Sequence, residues 1–252
     1  ELVVEAVPGD SDGLHWRTRI QFAVDANGRA GLRAARSHRV VPLDRCLIAT
    51  QAINALDITM RPWPGASEVL AIAPVDGPAL ALADPRPGEA RVEERAAGRR
   101  WTFDATAFWQ VHPGAADTLV ASVNELLAPK PGDHAIDLYA GVGLFAGALA
   151  DRLGPGGRVD AVESDPVAIA GAKRSLHDIA TVHLHEDRVD RWLRQTRLRR
   201  CDLIVLDPPR AGAKKQVMER MIGLKPRAIA YVACDPASLA RDIATAKPSA
   251  GN

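Results

Sequence analysis

The sequence predicts an α/β fold, a parallel sheet with helices on both faces, preceded by a small β-rich segment. From about Arg100 onward, short apolar runs alternate with helical stretches. Strands apolar on both faces belong to parallel sheets buried between helices. Before that point, turn residues are frequent and the apolar period is near two, as in antiparallel strands. A chain of 252 residues is long enough for two compact units. The expected division is 1–99 for the β-rich part and 100–252 for the α/β domain.

The elements follow in order. Residues 1–8 read as part of a strand. Trp16–Val24 alternates polar and apolar side chains, Asp25–Gly28 supplies turn residues, and Ala30–Ala35 completes a hairpin. Beyond Pro62, Pro64 and Gly65, Val69–Ile72 and Ala79–Leu82 read as short strands, and Pro85–Gly88 as a turn. Ala115–Leu127 is a helix stopped by Pro129 and Pro131. Five apolar strands come next, at His134–Tyr139, Arg158–Glu163, Val182–His185, Asp202–Asp207 and Ala228–Cys234. Between and after them lie helices near Leu144–Arg152, Pro166–His177, Lys214–Ile222 and Asp235–Ala246.

The composition, 47% hydrophobic and 25% charged, is that of a soluble globular protein. No apolar run approaches a membrane span and no leader pattern is present, so a membrane partner is not expected. Three cysteines without a C-x-x-C pair point to a reducing, cytoplasmic setting. The net charge of +1 is uninformative, but its distribution is not. Leu14–Cys46 holds seven arginines against two aspartates. Arginine forks onto phosphate and stacks on bases, so Arg17, Arg19, Arg33 and Arg36 are candidate RNA contacts; a solvated surface is the alternative.

Asp137-Leu-Tyr139-Ala-Gly141-Val-Gly143-Leu144 stands where the first parallel strand turns into a helix. Glycines there let a ligand approach the backbone, and a helix N-terminus faces it. Glu163 ends the next strand, placed to accept hydrogen bonds from ribose hydroxyls. Gly141, Gly143 and Ala146 also match a dinucleotide fingerprint, which keeps an NAD-dependent oxidoreductase open as an alternative. Three features favour S-adenosyl-L-methionine. Asp137 lies just inside its strand, Asp187 follows the third strand where an adenine contact belongs, and the fourth strand ends in Asp207-Pro208-Pro209-Arg210. Two prolines hold that loop rigid, so the groups flanking them stay aimed.

Arg210 stands where amino-group methyltransferases place an aromatic residue, which turns attention to carbon methylation. Carbon 5 of a pyrimidine is a poor nucleophile, and a thiolate adding to carbon 6 activates it. Cys234 suits that step. It ends an apolar strand at the ligand-binding edge, and Asp235-Pro236 follows as an N-cap with proline at the first helical position. A helix N-terminus and a nearby arginine both lower a thiol pKa. A buried structural cysteine is the competing reading, and it fits Cys201 better.

Together these residues resemble the RNA 5-methyluridine methyltransferase family. The likeness runs from about Trp16 to Ala246 and is carried by Phe108-Trp-Gln110-Val, DLYAGVGLF (137–145), DPPRAG (207–212) and YVACDPASLARD (231–242). It implies a Rossmann-like class I methyltransferase sheet and transfer of a methyl group to a uridine of tRNA or 23S-type rRNA. Cys234 would be the nucleophile, with Asp207 and Arg210 holding the uracil edge. Gln110, Tyr139, Glu163, Asp187 and Asp207 would line the cofactor and base site. Leu144 replaces a frequent asparagine, and Asp235 stands where asparagine is common. Cys46 falls where the last ligand of an iron–sulfur cluster sits in some relatives, but packing is its expected role, and no metal is expected. The general-base glutamate and the last two strands of the family sheet would lie past residue 252, so the sequence is expected to be a piece of a longer chain, the alternative being that another carboxylate serves as the base. No obligate protein partner is implied. A non-catalytic RNA-binding protein is another alternative, and cytosine-5 methylation is a third, disfavoured because Arg210 stands after Pro209 where enzymes of that type usually carry a cysteine beside the proline.

Overall fold

The computed structural model describes residues 5–9 and 12–246. Residues 5–9 are not a strand, and the rest of the strand expected at 1–8 lies outside the described residues. The chain divides into two compact units, Glu1–Thr118 and Leu119–Asn252.

The first unit is built on an antiparallel sheet of five strands: β1 (Arg19–Val24), β2 (Ala30–Arg33), β3 (Val40–Pro42), β4 (Glu68–Ile72) and β5 (Leu80–Ala83), in the order β3-β2-β1-β4-β5. Alternation places Ile20 and Phe22 on one face, where they pack with Ala30, Val69, Ala71 and Ile53 of the short helix α1 (Gln51–Asn54). A separate hairpin, β6 (Arg91–Ala96) with β7 (Arg99–Asp104), turns through Ala97 and Gly98, both at positive φ. Trp101 and Phe103 are fully buried, each stacked obliquely on Trp109. The boundary expected between 99 and 100 therefore moves, because it cuts β7, whose Arg99 and Arg100 pair with Ala96 and Arg95. Helix α2 (Ala115–Leu127) carries the chain past the division.

The second unit holds five parallel strands: β8 (His134–Leu138), β9 (Arg158–Glu163), β10 (Val182–Glu186), β11 (Leu203–Leu206) and β12 (Ala228–Tyr231). Their order, β10-β9-β8-β11-β12, reverses direction beside β8. This is the Rossmann-like arrangement, in which ligands bind at the carboxyl edge near the switch point. Helices α3 (Leu144–Leu153), α4 (Pro166–Ser175), α5 (Val189–Gln195), α6 (Lys215–Gly223) and α7 (Pro236–Ala246) alternate with the strands. Leu203–Leu206 is completely buried, as its unbroken apolar run requires. No helix among the described residues is long and apolar enough to cross a membrane.

Two aspartates lie inside this sheet. Asp160 of β9 accepts a two-pronged bond from Arg158 (2.8 Å on each oxygen) and sits 2.6 and 2.7 Å from Nε2 of His134 and His185. Burial alone would raise its carboxyl. The bonds from Arg158, His134 and His185 outweigh burial and hold it well below the usual carboxylate range. Asp137 of β8 has one bond, from the Ala146 amide in α3 (2.9 Å), and its Oδ1 is buried without a partner.

Candidate active site

The carboxyl ends of β8, β9, β11 and β12 bring together most of the expected site residues. After β8 the chain turns through Tyr139 (φ 62°), Gly141 (φ 56°) and Gly143 (φ 89°), and Gly143 caps α3. A Cβ on Gly141 would meet nothing within 4 Å, so the loop has open space above it. On Gly143 it would strike Leu176 at 2.6 Å, so that glycine serves close packing instead.

Glu163 steadies this loop from the end of β9. Its Oε2 accepts the Gly141 amide at 2.9 Å, and its Oε1 accepts the Ser164 and Asp165 amides at 2.6 and 2.8 Å. A carboxylate has about four lone-pair sites, which leaves room for a ligand hydroxyl. Beside it opens a cleft of about 510 Å³, lined by Tyr139, Ser164, Arg188, Asp190, Pro209 and Lys214 among others. That volume suits a small-molecule cofactor. The open glycine loop, the edge carboxylate and the unpartnered Asp137 oxygen together fit a nucleoside-bearing one. Burial of the Tyr139 phenol, with Asp190 adding, pushes it up to about 12, so it stays a neutral donor. Asp187 receives the Arg188 amide at 2.6 Å and pairs with Arg191 of α5, so its carboxylate is engaged locally.

Burial pushes the Asp137 carboxyl up to about 8, opposed by the Ala146 amide and assisted by Asp207 and Glu163. A carboxyl whose pKa is higher in the folded state contributes stability that is full below about pH 4 and is lost as pH rises through 8. The melting temperature is therefore expected to fall between pH 5 and 9. Asp137→Asn should flatten that fall, because asparagine has no proton to lose in this range. Parallel slopes in the two proteins would remove Asp137 as the cause.

On the other side of the switch point, Asp207 follows β11, and burial lifts its carboxyl to about 6. Arg210, three residues on, is exposed. Cys234 follows β12 and is exposed, whereas Cys46 and Cys201 are buried. Asp235 caps α7 by accepting the Ser238 amide at 2.7 Å. Burial drives the Cys201 thiol up to about 12, which fits a packing role. The chemistry-bearing groups of this edge are thus a free thiol, a partly buried carboxyl and a guanidinium, all on loops held by a rigid sheet.

Gln110 belongs to the first unit, on the segment between β7 and α2. Of the arginines, Arg33 and Arg36 are exposed and Arg17 is half-buried. Arg19 requires correction as a surface RNA contact: it is buried, donates to the carbonyls of Ala105 and Ala107 at 2.6 and 2.9 Å, and is lowered to about 10 by burial. Cys46 packs in the core of the same unit, its amide and carbonyl bound by the Asn54 side chain. Sequence reasoning missed Arg188, Ser164 and Lys214 as cleft residues. Their signal was only that each follows a strand end or precedes a helix on the ligand-binding edge.

No protein-family model matches the chain. It is similar to an uncharacterized RNA methyltransferase of Streptomyces avermitilis, 45% identical over 258 residues, covering 90% of this chain and 60% of the relative. A counterpart in Streptomyces coelicolor is also 45% identical, and one in Bifidobacterium longum is 34% identical with 96% of this chain and 63% of the relative covered. The chain thus spans about 60% of the length of these curated relatives. Among solved structures, the tRNA (uracil-54, C5)-methyltransferase of Pyrococcus abyssi, in complex with S-adenosyl-L-homocysteine, superposes with a TM-score of 0.70. That match covers 93% of this chain and 70% of the other at 21% identity, and so bears on the fold. Along nine-tenths of its length the chain is similar to bacterial RNA methyltransferases, on a fold shared with a tRNA methyltransferase.

Proposed function

We propose that the chain is the catalytic part of an S-adenosylmethionine-dependent RNA methyltransferase that converts a uridine of tRNA or rRNA to 5-methyluridine. The observation that carries this reading is the placement of Cys234. It is the exposed cysteine of the three, and it follows a parallel strand on the same sheet edge as the glycine loop and the Asp207–Arg210 segment.

When bound, S-adenosylmethionine supplies an electrophilic methyl group on its sulfonium. Glu163 and the Gly141 loop, joined by a 2.9 Å hydrogen bond, would hold its ribose end, and Tyr139 lines the adjoining cleft. The Cys234 thiolate would add to carbon 6 of the uracil, making carbon 5 enolate-like; carbon 5 would then take the methyl group as the sulfur–methyl bond breaks and the neutral thioether leaves. A base then removes the carbon-5 proton, and the electron pair expels the thiolate. Arg210 and Asp207 hold the uracil edge while charge develops there. Arg17, Arg33 and Arg36 contribute phosphate contacts from the first unit, where a cleft of about 410 Å³ also carries the exposed Phe108.

The test is incubation of the full-length protein with S-adenosylmethionine and unmodified tRNA or rRNA, followed by nucleoside mass spectrometry. Formation of 5-methyluridine in one of them is expected; a methylated cytidine or amino group would replace the reading. For the cofactor site, Glu163→Ala is expected to weaken S-adenosylmethionine binding by about 1–3 kcal/mol, through loss of charged hydrogen bonds. Calorimetric titration measures this directly, and an unchanged affinity would take Glu163 out of the site.

A further inference from the structure

Helix α7 begins just after Cys234 and is laced to the loop 207–214 by two of its side chains, Ser238 and Asp242, joined by Tyr231 at the end of β12. Ser238 Oγ donates to the Arg210 carbonyl at 2.6 Å. Asp242 Oδ2 accepts the Ala213 amide at 2.6 Å and the Tyr231 hydroxyl at 2.7 Å, and Oδ1 lies 3.2 Å from the Lys214 amide. Asp242 and Ser238 are 4% and 6% exposed, so the contacts are shielded from water. Charged, buried hydrogen bonds of this kind are short and stiff.

The grip shapes the loop. A Cβ on Gly212 would lie 2.6 Å from the Asp242 carboxylate, so only glycine lets the backbone come this near. Lys214 is held at φ 72°, ψ 156°, a region almost confined to glycine. Strain of this kind persists only where surroundings over-determine it, and the Asp242 carboxylate does so here. The same carboxylate also serves the amides just before α6, so a plain capping role is the competing account.

We infer that Asp242, with Ser238 and Tyr231, is a positioning device that fixes the Asp207–Arg210 loop relative to Cys234. Ser238 is one helical turn past the cysteine and grips Arg210 itself, while Asp242 grips the loop three residues further along. The inference rests on Cys234 being the nucleophile. Its consequence is that loosening the grip slows the chemical step without changing how much substrate binds.

The test compares Ser238→Ala, Ser238→Thr and Asp242→Asn in the full-length protein. Ser238→Ala is expected to lower kcat for methyl transfer about tenfold, with KM for RNA and S-adenosylmethionine within about threefold and the melting temperature nearly unchanged. Ser238→Thr, which keeps the hydroxyl, should recover most of that loss. Asp242→Asn should fall further in kcat than in folded fraction. Losses that simply track the folded fraction, or no loss in Ser238→Ala, would overturn the inference. A second readout needs no RNA: the rate at which iodoacetamide alkylates Cys234 in the free protein. It is expected to change at least threefold in Ser238→Ala and to return in Ser238→Thr. Altered alkylation in a protein that methylates no RNA would sink the proposed reaction, and with it the catalytic role of the grip, while still showing that Ser238 sets the surroundings of Cys234; unaltered alkylation with 5-methyluridine formed would keep the reaction and overturn the positioning device.

Discussion

Cys234→Ala is expected to lower 5-methyluridine formation by about a thousandfold or more, while S-adenosylmethionine affinity changes by less than about twofold. The first part follows from the chemistry. Without addition at carbon 6, carbon 5 of uracil has almost no tendency to attack a methyl group, and alanine offers nothing to add. The second part follows from the structure. The groups that fit the cofactor, Gly141, Glu163 and the cleft around Tyr139, belong to the segments after β8, β9, β10 and β11, and Cys234 is absent from that lining. An exposed side chain also leaves little cavity when truncated, so folding should be nearly untouched. Parallel methylation and titration assays decide the matter. Equal loss of turnover and binding would make Cys234 a structural residue, and retained RNA binding with no turnover even in the wild type would favour a non-catalytic RNA-binding protein.

Gly212→Ala should cost about 2–4 kcal/mol of stability, from two additive causes. At φ +78° an L side chain is disfavoured by roughly 1–2 kcal/mol. The added Cβ would also sit 2.6 Å from a buried carboxylate that already serves Ala213, Lys214 and Tyr231, so relief requires breaking one of those bonds. Urea unfolding measures the change as a shift in midpoint. A shift equivalent to under about 0.5 kcal/mol would show that the loop can move aside, and that its contact with Asp242 is slack.

Much of the second unit was legible because its strands are locally unambiguous. Arg158–Glu163 and Ala115–Leu127 have the bounds that pattern and prolines assign them. Strand ends were read too long at β11 and β12, since Asp207 and Cys234 continue the line of the chain without joining the ladder. Helix α5 was not legible: it has seven residues, and Arg188 at its N-cap makes no side-chain capping bond. The β6–β7 hairpin escaped because arginines and glutamates fill its outward positions, although Val92, Glu94 and Ala96 alternate inward. In the site, Asp137, Gly141, Glu163 and Cys234 declare themselves by spacing along single strand–helix units. Asp242 does not, because its partners lie 28 and 29 residues away and are met only when α7 folds back. Arg19 was misread for a related reason. A count of charge sees seven arginines alike, whereas the carbonyls of Ala105 and Ala107 single out one of them.

The two buried aspartates have a consequence for how the second unit comes apart. Asp160 is level with Ile136, and Asp137 with Ala161, so the carboxyls point to opposite faces of neighbouring strands. Asp137 meets α3 through Ala146, while Asp160 meets His185, whose ring packs on Trp192 of α5. Stability held by Asp160 is lost as pH falls, because its pKa is depressed in the fold, and stability held back by Asp137 is lost as pH rises. Acid therefore weakens what Asp160 holds on one face, and a rise of pH through the neutral range weakens what Asp137 holds on the other. The sheet thus carries a differently tuned carboxyl on each face: by neutral pH the bonds to Asp160 are fully in place, while the contribution of Asp137 is already fading.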